Sequence, residues 1–271
     1  MRPRCWVQLF QGPPVSARLL CQQMGLGLML TVLIGAAAGA PVAALAQEAD
    51  VARLVSFGGD CPDCPLAGRK LVGARFLGAD FAGASLVGAD LRGASFLGSN
   101  FTGADLSRAD LRGAVMTGAN FASADFTSAA MAGLQAPAAS FAGAQLTGAR
   151  MDLAELPGAN LKGVNAPRVS LAGALLIGAD LSEGRFDKAS FRGAALNGAN
   201  LSQGSFAGAD FKGARLLRAS LAAADLASAR NLTQDQISQA CSNPATRLPA
   251  HLVGKVCGAR AAPDPHAPKR R

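Results

Sequence analysis

The sequence predicts an all-β solenoid, a coil that turns a corner every five residues and closes one four-sided turn every twenty. Two observations carry this. From Leu66 to Leu226 one five-residue pattern returns without insertion or deletion, and each of its 33 centres is Leu, Phe or Met except Ala136 and Ala166. The phenylalanines inside it, from Phe76 to Phe211, form six pairs twenty residues apart, five pairs five apart and none ten apart. A period of five suits neither the 3.6 of a helix nor the 2.0 of a strand, so neither can bury these centres along one face. A cornering coil can, by turning each centre and the small residue two before it inward while the other three positions face water. Side chains that stack between coils recur at the coil length, so four units make a turn, with rings and leucines laddered at roughly 4.8 Å. Composition agrees: half of the residues are hydrophobic, yet 5% are aromatic and 32 are glycine.

Residues 1–46 carry Arg2, Arg4 and Arg18, an apolar run from Met24 to Ala40, and Ala44-Leu45-Ala46 before Gln47. This is the layout of a signal peptide with an A-x-A cleavage site, so the chain is expected to be exported, to the periplasm or outside the cell. Left uncleaved, the same stretch would be a membrane anchor. Cys21 follows Leu19 and Leu20 rather than small residues, which argues against lipid attachment.

Residues 47–65 are expected to cap the N-terminal end. Asp50 precedes Val51, Leu54 and Val55 at helical spacing, and a short helix there would cover open rungs. Cys61-Pro62-Asp63-Cys64 then leads into the repeat.

The repeat proper, 66–230, reads Ala79-Asp80-Phe81-Ala82-Gly83, Ala84-Ser85-Leu86-Val87-Gly88 and onward in register. Glycine two after the centre is expected where the chain turns. The small centres Ala136 and Ala166 are offset by Leu134 and Val164 at the other inward position, a swap of volume within one cross-section. The A-[D/N]-L-x-G text resembles the pentapeptide-repeat family. That resemblance implies a right-handed quadrilateral β-helix and no single activity.

After Arg230 the pattern stops. Thr233-Gln234-Asp235-Gln236 has the spacing of a capping box, and residues 231–260 resemble the C-terminal cap that follows exported bacterial repeats of this family. Residues 261–271 are rich in proline and basic residues, the composition of a disordered tail. A rod of eight turns, about 40 Å long, keeps Cys61 and Cys64 far from Cys241 and Cys257. That leaves 61 with 64 and 241 with 257 as the pairs open to an exported chain, the first closing a tight ring that could also remain two thiols. The same distance excludes a four-cysteine metal site.

Catalytic chemistry finds no support. The chain has two histidines, His251 and His266, and no tyrosine, so no Ser-His or Cys-His arrangement can be built in the repeat. The repeated acids, such as Asp90 and Asp110, occupy an outward periodic place, and no phosphate-binding loop opens a helix. No cofactor or metal is expected. The net charge of +8 falls once residues 1–46 are set aside, leaving 23 basic against 18 acidic residues. Arg92, Arg112 and Lys212 form a stripe at twenty-residue spacing, but Asp90, Asp110 and Asp210 stand two residues before them, so the face is read as internally compensated. Without interleaved aromatic residues, nucleic acid is not an expected partner.

The expectation is a non-enzymatic, exported, rigid structural or protein-binding module. Outward Leu77, Leu97, Ile177 and Leu217 lie on one face, residues twenty apart being neighbours, and form a candidate partner face for self-association or another protein. The alternative is the DNA-mimic kind of family member that binds a topoisomerase and shields gyrase from quinolones; the resemblance implies an acidic, cytosolic protein for that role, and this chain is basic with an export signal.

Overall fold

The computed structural model describes residues 60–257. The N-terminal segment, its expected helix and the tail after Cys257 lie outside the described residues. The described chain is a stack of four-sided coils, each side one pentapeptide and each coil paired in parallel with the coil twenty residues on, from Pro65 with Ser85 to Asp210 with Arg230. Among the described residues the rungs lengthen into strands only on the Phe76 side, as β1 (Arg75–Leu77) and β2 (Ser95–Leu97), in register as Arg75 with Ser95, Phe76 with Phe96 and Leu77 with Leu97.

The hydrogen bonds explain why the register tolerates no insertion. The N–H of a centre donates to the carbonyl nineteen residues on, Leu86 to Asp105 at 2.7 Å, and the residue before a centre donates backward, Asp105 to Ala84 at 2.9 Å. Each corner is closed by a bond such as Ala89 N–H to the Leu86 carbonyl at 2.9 Å, and the third residue of that turn, Gly88, has φ 63° as a type II turn requires. Residues that replace glycine at this place keep the left-handed backbone: Arg108, Leu153 and Arg168 have φ 58°, 58° and 60°. The ladder thus overrides the local preference of the side chain.

Two columns per side point inward and fill the axis. The centres are buried along the whole stack, and so are the residues two before them except Arg69 near the N-terminal end, with Leu134 and Ala136, and Val164 and Ala166, sharing their cross-sections as expected. Stacking follows the coil length: all six phenylalanine pairs twenty apart are stacked, Phe76 on Phe96 at 4.9 Å and Phe186 on Phe206 at 5.3 Å. Neighbours five apart meet edge to face or tilted, as Phe76 and Phe81 do at 5.1 Å.

Both ends add to the sequence reading. The register takes in the unit before Leu66, because Cys61 occupies a centre and its N–H donates to Asp80 O at 2.6 Å. Cys61 and Cys64 therefore take two neighbouring inward places of the first described coil, with Cα atoms 5.4 Å apart in a disulfide. Pro65 pairs with Ser85 on the first described rung of its side. At the far end the ladder continues into the cap on two sides, Leu221 donating to Cys241 and Leu226 to Arg247 at 2.7 Å each. Helix α1 (Gln234–Gln239) lies between, capped by Thr233, with Ile237 buried. Gln236 uses its whole amide: Oε1 accepts from the Thr233 N–H at 2.8 Å, and Nε2 donates to the Phe211 and Ala214 carbonyls at 2.9 and 2.7 Å. Cys241 and Cys257, Cα atoms 5.2 Å apart, join the ends of the cap.

Candidate functional site

The four sides differ in what they show to water, and the residue before each centre decides the difference. On the side of Phe81 that residue is usually Asp or Asn. Its side-chain oxygen accepts the N–H two residues on, at 3.1 Å for Asp80, 3.1 Å for Asn100 and 3.0 Å for Asp180, a donor that the ladder leaves out. The same side chains bond up the stack, Asn100 to Asp80 at 2.8 Å and Asn200 to Asp180 at 3.1 Å. The Asp/Asn of the motif is thus a backbone acceptor first and a surface charge second.

The Phe76 side lacks this device. Before its centres stand Arg75, Ser95, Val115, Gln135, Glu155, Leu175, Ala195 and Arg215, with neither Asp nor Asn among them. After its centres, Pro137 and Pro157 have no N–H to satisfy. What remains is apolar: Leu77 is 62% exposed, Leu97 38%, Ile177 47% and Leu217 49%. Leu77 and Leu97 are direct rung partners, and Ile177 and Leu217 lie two coils apart with Asn197 between them. Leu175, also 38% exposed, widens the strip beside Ile177 and was missed as a member. The signal that finds it is the absence of Asp and Asn before the centre at every twentieth residue. Asn197 interrupts the line, and its buried Oδ1 has no hydrogen-bond partner.

Opposite in character is the side of Leu91. Arg92 grips Asp90 at 2.8 and 2.7 Å and Arg112 grips Asp110 at 2.8 and 2.6 Å, both through two nitrogens. These bonds hold the carboxyls of Asp90 and Asp110 below their ordinary range and raise both arginines. Lys212 departs from the expected pairing. Burial pushes the Asp210 carboxyl up, but Asn231, the Lys212 backbone N–H and Arg192 outweigh it, and Asp210 ends below the ordinary value. Its carboxylate takes Asn231 at 2.7 Å and Arg192 at 3.0 Å, not the Lys212 ammonium. Here the arginine one coil below reaches the acid and the lysine two residues along the same rung does not, the reverse of Asp90 and Asp110.

Among the described residues there is no group of three metal-ligating side chains and no helix long and apolar enough to cross a membrane. The cysteine pairs lie at opposite ends of the repeat. A hollow of about 410 Å³ in the cap, lined by Ser242, Thr246, Leu248, Leu252 and their neighbours, contains no charged side chain.

The profile of the Pentapeptide repeats family matches 8 copies, at residues 63–98, 99–133, 139–168 and 168–203. The chain belongs to the pentapeptide-repeat family. Solved structures similar to it include HetL from the cyanobacterium Nostoc sp. strain PCC 7120, a protein involved in heterocyst differentiation regulation. The identity is 26% over 64% of this chain and 83% of that one, with a TM-score of 0.39. QnrB1, a plasmid-mediated fluoroquinolone resistance protein, is 23% identical over 72% of this chain and 91% of its own, with a TM-score of 0.41. A pentapeptide repeat protein from the thylakoid lumen of Arabidopsis thaliana is 29% identical over 40% and 77%, with a TM-score of 0.31. No curated protein matches the chain.

Proposed function

We propose that this chain is an exported, non-enzymatic module, a right-handed quadrilateral β-helix with end caps, which presents the Phe76 side to a protein. The observation that supports this reading is the contrast between sides: three carry polar or ion-paired columns, while the fourth carries Leu77, Leu97, Leu175, Ile177 and Leu217 exposed in line. Exposed leucines are ordinary when scattered, but here they follow the coil repeat and form a strip. The pairing of Asp90, Asp110 and Asp210 with arginines speaks against the DNA-mimic reading, which needs acids left free to imitate phosphates. Export is supported by the arrangement of residues 1–46 and by the cysteine pairs, which suit an oxidising compartment.

Changing Leu77, Leu97, Ile177 and Leu217 together to Thr tests the surface. The variant is expected to unfold at the wild-type temperature and to lose association. Unchanged association, with itself and with partners cross-linked in its own compartment, refutes the reading. N-terminal sequencing of the mature protein tests export, Gln47 being the expected first residue.

A further inference from the structure

Among the described residues the Phe76 side carries four charged side chains, Arg218 at a corner and three in one column, and none of them is in an ion pair with another described residue. Arg75, Glu155 and Arg215 are all exposed and all stand before an inward centre, in one column. No ion pair joins any of them to another described residue, whereas Arg92, Arg112 and Arg192 on the Leu91 side are all engaged. Glu155 lies four coils above Arg75, about 19 Å, and three coils below Arg215, about 14 Å, at the spacing of adjacent rungs.

Resting on the reading of this side as an interaction surface, we propose that its occupant is a second copy of this chain, antiparallel and offset, so that Glu155 of each copy meets Arg75 of the other. A two-fold axis lying in the interface and across the stack sets each column against itself in reverse order. With the axis at Val115, Arg75 faces Glu155 twice, Ser95 faces Gln135, and Leu77 and Leu97 face Pro157 and Pro137. The surface thus supplies both halves of its own complement.

Other registers fare worse. Full overlap sets Arg75 against Arg215 at both ends, a like-charge contact on an apolar interface. An axis between Leu175 and Ala195 pairs Glu155 with Arg215 and covers Leu175, Ile177 and Leu217, which the favoured register leaves open, but it sets Ile177 against Asn197 and leaves uncovered Leu97 and Leu77, the most exposed of the strip. Parallel packing brings the two columns of unlike residues together and pairs no charges. The favoured overlap spans five coils, about 24 Å. It belongs to the small interfaces, below roughly 1,200 Å², so the association is reversible.

Sedimentation of the mature protein across concentration tests the arrangement. Wild type is expected to dimerise, Glu155→Arg and Arg75→Glu each to weaken dimerisation by about tenfold or more, and the double exchange Arg75→Glu with Glu155→Arg to restore it. Arg215→Glu is expected to change nothing. Val115→Cys, at the axis, is expected to form a cross-linked dimer under oxidising conditions, and Leu175→Cys is not. A wild type that stays monomeric to about 1 mM, the weak end of useful affinity, overturns the proposal. So does a charge exchange that fails to restore, or sensitivity to Arg215→Glu, which would place the contact in the other register. Because the Leu-to-Thr variant reports on any occupant, a monomer that still loses a different protein in that variant sinks the second copy alone. No effect in either experiment sinks the interaction surface as well.

Discussion

A β-carbon placed on Gly184 would lie 2.6 Å from Cε2 of Phe186. Elsewhere the residue two before a phenylalanine is usually alanine, as Ala74 is for Phe76; at Gly184, and one coil on at Gly204, the ring has turned into the space that a methyl group would fill. Phe186 is fully buried and stacked on Phe206 within 4° of parallel, so it has little room to yield. Gly184→Ala is expected to cost about 1–3 kcal/mol by overpacking. Adding Phe186→Leu, which recreates the common Ala–Leu cross-section, should recover part of that loss. Thermal unfolding of the two variants decides it, and a neutral Gly184→Ala would show that the ring has freedom the packing denies.

Ser99 offers the opposite case. It fills an inward place between Ala79 and Ala119, is fully buried, and its hydroxyl has no hydrogen-bond partner. Ser99→Ala keeps the shape and removes an unpaired polar group, so it should stabilise the fold by about 1–3 kcal/mol. A melting temperature that falls would mean the hydroxyl has a partner after all.

The two carbonyls that Gln236 covers, on Phe211 and Ala214, would lose their donor in Gln236→Glu, although the carboxylate could still serve the Thr233 N–H. The expected cost is about 1–3 kcal/mol, with faster hydrogen exchange at Leu221 and Leu226 before any change deep in the stack. Uniform acceleration through all coils would contradict a role confined to the cap.

Asp210 gives a pH signature. Its folded-state pKa lies below the ordinary value of about 3.9, so the stability it contributes is full above that pH and is lost as pH falls through the folded value. Asp210→Asn should therefore be less stable than wild type at neutral pH, and the gap should close as acid is added below about pH 4. A gap that persists unchanged into acid would assign the loss to shape rather than charge.

The coil length and the inward columns were legible because backbone pairing makes every unit equivalent: one register mistake would expose a whole column, so Leu, Phe and Ala repeat without relief. The first unit was not, since Cys61 and Cys64 fill places that elsewhere hold Leu and Ala, and a cysteine pair reads as a staple before it reads as core. The partner of Asp210 was hidden because the nearest cation in the chain, Lys212, is not the nearest in space. At the candidate surface, Leu77, Leu97, Ile177 and Leu217 could be read from large apolar residues at outward places. Leu175 could not, as its meaning depends on knowing what Asp or Asn does before a centre. The role of that residue, taking the N–H two places on, becomes visible only when the bond from Ala82 to Asp80 is seen.

The pairing of each residue with the one twenty later makes chain length a compass. Loss of five residues from the middle of the repeat would leave every unit intact and the axis filled, yet everything downstream would be turned by a quarter. Leu217 would then point ninety degrees away from Leu77. Loss of twenty would shorten the stack and leave every side facing as before. In this molecule the composition of a unit governs whether the chain folds, while the count of units modulo four governs which way its surfaces look.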